Sequence, residues 1–273
     1  MNQVERETEI EGVDVAGPAD AQPIVFVHGA MFTGKMWAPQ RDALSEEFRV
    51  IAPDLPGHGA RSDETFRLEP ALDLLDEVID TLAGGHAILV GLSLGGYVST
   101  EYASRHPEKV DGLVVTGSSA NPVGRMKLVT RAVGGVSRLA TRSDRVEQRV
   151  RNAGEKWVRE RDLSPEIKEE IIDAGIYPRQ FGEAGPDLEG KDFRAALATY
   201  PGPTLVLNGS RDLVMQRGAE DHASAANDSY LASIDGVGHI ANLHRPETFT
   251  DAIRRFSTEI VGASDDESTD MTA

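Results

Sequence analysis

Ser93 stands in the run Gly91-Leu92-Ser93-Leu94-Gly95, between an apolar stretch that begins at Ala87 and a helical pattern that begins at Leu94. A serine framed by glycines at a strand-to-helix turn is the arrangement that presents a hydroxyl as a nucleophile. The glycines let neighbouring backbone approach without a Cβ clash, and the free N–H groups of the new helix favour negative charge beside the hydroxyl. Serine at its own pKa attacks poorly, so the chemistry needs a histidine base and a carboxylate that orients it. Both follow in the chain order Ser, Asp, His that serine sites of this kind use: Asp212 lies just past the run "PTLVLNG", and His239 lies in "VGHIAN" after the run "YLASIDG". Among the seven histidines, His86 precedes a strand, His106 ends a helix, His222 lies in a polar helix and His244 precedes the last helix; His239 is the expected base for its glycine-flanked position after the last strand. Asp235 rivals Asp212 as the acid, but it sits at the other strand end and close to His239 in sequence. The expected chemistry is acyl transfer, with an oxyanion held by the N–H of Leu94 and by a loop N–H after His28-Gly29, from Ala30 or else Met31. The bland alternative for the serine turn is glycine-rich packing.

These residues need a scaffold that delivers them to one edge. Short β-type runs, "PIVFVHG", "FRVIAPD", "AILVGLS", "GLVVTGS", "PTLVLNG" and "YLASIDG", alternate with helical patterns. That alternation predicts a mostly parallel sheet covered by helices, with ligands at the C-terminal strand ends. Leu72, Leu75, Ile79 and Leu82 recur at helical spacing and predict a helix over about 70–82 lying on the sheet. "ETEIEGVDV" suggests an antiparallel hairpin at the start. "DLPGHGAR" after the second run reads as a turn, and His28 as a brace for its loop. Residues 121–200 contain no convincing strand and read as helices: Val146, Val150, Ala153 and Trp157 form a stripe, Ser164-Pro165 reads as a cap and first helical residue, and Gly175 as a helix end. The expected division is an α/β core from 1–120 and 201–262, a helical cap over 121–200, and a disordered acidic tail over 263–273.

Composition narrows the partners. The chain has 273 residues, no cysteine and a formal charge of −17, which excludes disulfides and thiolate chemistry and argues against nucleic acid. The charged start and the lack of a long apolar run predict a cytoplasmic protein with no membrane partner, and nothing in the sequence bears on oligomeric state. Of 28 basic residues 22 are arginine; few lysines beside many carboxylates resemble proteins of salt-loving microbes, against the plainer reading of an acidic protein from a high-GC genome. Residues 125–151 break the acidic pattern with eight basic residues against two acidic ones. A basic cap over a serine site would suit a substrate bearing a carboxylate, with at least one of Arg125, Arg131 and Arg138 facing the pocket; alternatively these arginines pair with acids on a solvated face.

In their order, "HGAMFTGKMW", "DLPGHGARS", "GLSLGG", "NGSRDLV" and "GVGHIANLHRPETF" resemble the α/β-hydrolase superfamily over nearly the whole chain. The resemblance is to its serine branch, among small carboxylesterases, 3-oxoadipate enol-lactonases and cofactor-free haloperoxidase-like proteins. It implies an eight-stranded sheet with a helical cap after the sixth strand, no metal or organic cofactor, and a small ester or lactone substrate. "HGA" in place of "HGGG" speaks against bulky tertiary-alcohol esters. The alternatives that remain open are a C–C bond hydrolase or a lyase of the menaquinone-precursor type using the same three residues, and a non-catalytic protein that keeps the fold.

Overall fold

The computed structural model describes residues 10–261. Seven strands form one sheet: β1 (Val13–Ala16), β2 (Pro23–Val27), β3 (Arg49–Pro53), β4 (Ala87–Leu92), β5 (Val110–Thr116), β6 (Pro203–Gly209) and β7 (Asp228–Ile234). Their order is β1-β3-β2-β4-β5-β6-β7, with every neighbouring pair parallel except β1, which runs antiparallel to β3. Strands β2, β3, β4 and β6 are buried at every position, as strands covered on both faces must be. Because side chains alternate along a strand, two cores result. Val25, Val27, Leu89 and Val115 pack on one face with Leu72, Leu75 and Val98, while Ile24, Phe26, Ile88 and Val90 pack on the other with Leu44, Phe249 and Ile253.

Helices α1 (Ala38–Leu44), α2 (Leu68–Leu82) and α3 (Leu94–Arg105) connect the first five strands. Helix α2 buries the expected stripe and starts at Leu68, two residues ahead of the expectation. Between β5 and β6 come α4 (Gly124–Ala140), α5 (Asp144–Arg159), α6 (Pro165–Asp173), α7 (Pro178–Leu188) and the short α8 (Phe193–Leu197). Helix α9 (Leu213–Ala223) joins β6 to β7, and α10 (Ala241–His244) and α11 (Pro246–Arg255) follow β7.

Two expectations need correction. The resemblance implied eight strands with a cap after the sixth, whereas the described residues hold seven and the helical section follows the fifth. Of the expected opening hairpin the described residues hold one strand, β1. Val13 N donates to Ile10 O in a turn and Gly12 has φ +71°, so the chain enters β1 from a turn and pairs with β3. Residues 7–9 of that hairpin and the acidic tail lie outside the described residues. On α5 the stripe also shifts: Ala153 is exposed, and Gly154 is the position that meets Ile176.

The helical section is held unevenly. Ser164 Oγ accepts from Ile167 N at 3.3 Å, Pro165 takes the first helical position, and Gly175 follows the helix end with φ +94°. Val158 of α5 and Ile171 of α6 are fully buried. Arg41 on α1 donates to both carboxylate oxygens of Glu170 at 2.6 and 3.0 Å, and Lys35 adds a third contact at 3.0 Å. On α4, by contrast, Gly134 is the one buried residue.

Candidate active site

Strand β4 ends at Leu92 and α3 begins at Leu94, so the whole turn is made by Ser93 with φ 55° and ψ −113°. Among the described residues no other non-glycine residue has a positive φ. Ser93 N donates to Thr116 O of the neighbouring strand at 2.8 Å, which pins the turn to the sheet. Close approach explains the flanking glycines. A methyl group on Gly95 would collide with the Val27 carbonyl, and one on Gly91 with the carbonyl of Gly95.

Asp212 follows β6 at the start of α9, and its N–H closes a turn onto Gly209 O at 3.0 Å. His239 follows β7. Its Nδ1 lies 2.5 Å from Asp212 Oδ2. A carboxylate only accepts, so Nδ1 carries the proton and Nε2 is left as an acceptor. The Asp212 side chain is 10% exposed and that of His239 40%, so the carboxylate is sheltered while the ring reaches open space. Behind the ring lies Gly117, where an added Cβ would stand 2.9 Å from Cε1. Asn208 fixes that backbone: its Oδ1 accepts from Gly117 N at 2.8 Å and its Nδ2 donates to Ser119 Oγ at 2.9 Å. The rival Asp235 instead accepts from Ser210 Oγ at 3.1 Å.

Ser93, Asp212 and His239 share the wall of one cavity of about 480 Å³ with Ala30 and Leu94. Most of the remaining lining is apolar, including Met126, Val129, Val133, Phe181 and Leu188. Among the described residues the backbone N–H groups of Ala30 and Leu94 have no acceptor. The Ala30 loop is braced from behind by two buried imidazoles. His58 Nε2 lies 3.0 Å from Ala30 O, and His28 Nε2 accepts from Leu55 N at 2.9 Å while its Nδ1 meets Gly29 O at the same distance. The rings meet edge to face at 4.7 Å. Burial holds the pKa of His28 well below the ordinary 6.5 and lowers that of His58.

Other expected residues fall outside the cavity. Met31 uses its carbonyl to accept from Tyr177 N at 2.8 Å, and its side chain packs against the core beneath α5 and α6. Arg125, Arg131 and Arg138 are exposed and away from the lining. Met126, Val129, Thr130 and Val133 occupy the arc of α4 turned to the cavity, which places Arg131 and Arg138, seven residues apart, on the flank beside α7. There Arg131 Nε donates to Glu189 at 2.9 Å and Arg138 lies 3.4 Å from Glu183. Sequence reasoning missed Tyr97 and Asn208. Tyr97 stands one helical turn beyond Ser93, a spacing that could have revealed it, and lines the cavity while its hydroxyl donates to Ala120 O at 2.7 Å. Burial, with the nearby Asp212 charge, raises its pKa. His222, expected in a polar helix, is fully buried, and burial pushes its pKa down to about 4.

The alpha/beta hydrolase family model matches residues 24–252. The carboxylesterase YbfK of Bacillus subtilis is 26% identical over 88% of this chain and 82% of its own length. A pimeloyl-[acyl-carrier protein] methyl ester esterase of Nitrosospira multiformis is 25% identical over 86% of this chain and 94% of its own. Among solved structures, a thermophilic esterase from Thermogutta terrifontis superposes with a TM-score of 0.70 at 27% identity, covering 90% of this chain and 92% of that one.

Proposed function

The chain belongs to the alpha/beta hydrolase family and is a hydrolase, and from that premise we propose that it cleaves a carboxylic ester or lactone through an acyl-enzyme on Ser93. His239 Nε2 takes the Ser93 proton as Oγ attacks the carbonyl carbon. The Ala30 and Leu94 amides receive the oxyanion, a contribution of about 3 kcal/mol per donor to the transition state. Asp212 keeps the imidazole in the tautomer that accepts at Nε2 and stabilises its charged form. His239 then returns the proton to the leaving alcohol, and water repeats the sequence to release the acid and free Ser93. The observation that carries this reading is the 2.5 Å contact of His239 with Asp212 at a cavity that Ser93 also lines.

The cavity lining supports a neutral, apolar acyl group. Among its described lining residues none is Lys or Arg, and Asp212 is the one carboxylate, already engaged by His239. A second carboxylate on the substrate would enter without a cation to meet it, which disfavours acid substrates and with them the lyase alternative.

The test is turnover of a short-chain p-nitrophenyl ester by Ser93→Ala. We expect a folded protein with activity reduced by roughly four orders of magnitude or more, and no labelling by a fluorophosphonate probe. Retention of more than a trace of wild-type turnover would assign the chemistry elsewhere. In the wild type, kcat/KM should be higher for a neutral acyl ester than for its ω-carboxylate analogue.

A further inference from the structure

Helix α4 carries an unusual load of apolar side chains to the surface. Leu128, Val129, Val133, Val136 and Leu139 are 47–69% exposed. On a helix of 3.6 residues per turn they fall with Ala132 on one continuous arc. Phe181 of α7 extends that arc across a shallow groove lined also by Val133 and Val136. Across the cavity mouth, Leu213 and Val214 at the start of α9 are 64% and 56% exposed. Val129, Val133, Phe181 and Val214 line the cavity as well, so the exposed surface is continuous with its interior.

Basic residues are concentrated in the sequence of α4 and the start of α5. Residues 125–151 hold eight basic side chains against two acidic ones, a local +6 in a chain of −17. Lys127, Arg131, Arg138 and Arg151 contact Glu189, Glu183 or Glu147. Arg125, Arg142, Arg145 and Arg149 are exposed and, among the described residues, have no acidic partner.

We propose that α4 and the first turns of α5 dock the enzyme on an anionic lipid bilayer, from which the acyl ester enters the cavity; the second clause rests on the serine-site reading above. An exposed apolar helical arc with unpaired arginines at both ends of the helix and on the one that follows is the composition that lies in a membrane interface, apolar residues among the acyl chains and cations at the headgroups. No described helix is long and apolar enough to cross a membrane, so the attachment is to the surface. This departs from the expectation of no membrane partner, which rested on the charged start and the missing span. A second copy of the chain fits less well. A two-fold pairing through α4 would bring the unpaired arginines of two copies together and close both cavity mouths.

The experiment is co-sedimentation with phosphatidylglycerol and phosphatidylcholine vesicles at low ionic strength. Wild type and Ser93→Ala should both partition onto phosphatidylglycerol and roughly tenfold less onto phosphatidylcholine. The triple variants Leu128→Gln/Val136→Gln/Leu139→Gln and Arg142→Gln/Arg145→Gln/Arg149→Gln should each lose roughly tenfold or more of the binding, with unchanged unfolding temperature and unchanged turnover of a water-soluble ester. A wild type that stays in the supernatant, or a leucine-valine variant that binds as wild type does, overturns the docking. So does a wild-type dimer in sedimentation equilibrium that this variant dissolves without any vesicle binding. Failure of the serine reading shows separately, as turnover retained by Ser93→Ala whatever the vesicles do.

Discussion

Helices α4 and α6 lie in the same stretch between β5 and β6, and the chain secures them by different means. Helix α6 starts on a serine cap with proline at its first position, buries Ile171 completely and offers Glu170 to Arg41 and Lys35 of the core. Helix α4 starts on Val123 with no side-chain cap, carries the glycine pair Gly134-Gly135, and meets α7 where Gly134 and Gly185 come together. Helices in water are marginal and draw their stability from tertiary contact. The long helix over the cavity therefore owes its place to close backbone contact with α7, whereas the short helix remote from it is anchored by buried and paired side chains.

Four variants break or sharpen that contrast. The largest effect is expected at the anchor: Ile171→Ala should cost about 3 kcal/mol of unfolding free energy in urea, since it empties a fully enclosed site. A loss below about 1 kcal/mol would mean that α6 collapses onto the gap and is no anchor.

Glu170→Gln tests the ionic half of the same anchor. It should cost about 1 kcal/mol at neutral pH, because the network is partly exposed and water screens it. Hydrogen bonding to Arg41, with help from Lys35, holds the Glu170 carboxyl down to about 2 against an ordinary 4.5. The unfolded chain thus takes up a proton that the folded chain refuses, so this contribution is whole above pH 4.5 and fades as the pH falls towards 2. Wild type should lose more stability than Glu170→Gln over that window, and parallel acid-unfolding curves would remove the assignment.

Gly182→Ala turns to the other helix. An added methyl would stand 2.7 Å from the Arg138 backbone N, so α4 must shift over the cavity. We expect KM for a medium-chain ester to change by about threefold while the urea midpoint holds, since the strain falls on the part that yields. A lowered midpoint with unchanged KM would make α4 the rigid element. The smallest effect belongs to Leu128→Gln, at 63% exposure, which should leave stability within about 0.5 kcal/mol. A larger loss, measured in dilute protein without lipid, would show that α4 is already covered in solution.

The same contrast separates what the sequence discloses from what it hides. Strands bounded by Gly, Pro and Asp were legible because buried parallel strands are continuous apolar runs, and the serine turn because its geometry demands particular residues at Gly91 and Gly95. Ser164-Pro165 was legible because caps are local chemistry. Helix α4 was not legible in the same way. With exposed apolar residues around so much of its surface, periodicity does not say which arc looks into the cavity, and net charge drew attention to Arg125, Arg131 and Arg138 when Met126, Val129 and Val133 face it. Asn208 was equally hidden, because its partners Gly117 and Ser119 lie about ninety positions away in sequence.

The backbone at Ser93 has a further consequence. Its φ of 55° with ψ of −113° is a conformation that a Cβ makes unfavourable by about 1–3 kcal/mol and that glycine adopts freely. Robustness and presentation of the hydroxyl are therefore opposed at a single residue: a Ser93→Gly chain would be the sturdier molecule. Directed selection for heat resistance alone, blind to turnover, would drift towards glycine at this position, and under the serine mechanism proposed above a thermostable descendant obtained that way would be inert by the same substitution that steadied it.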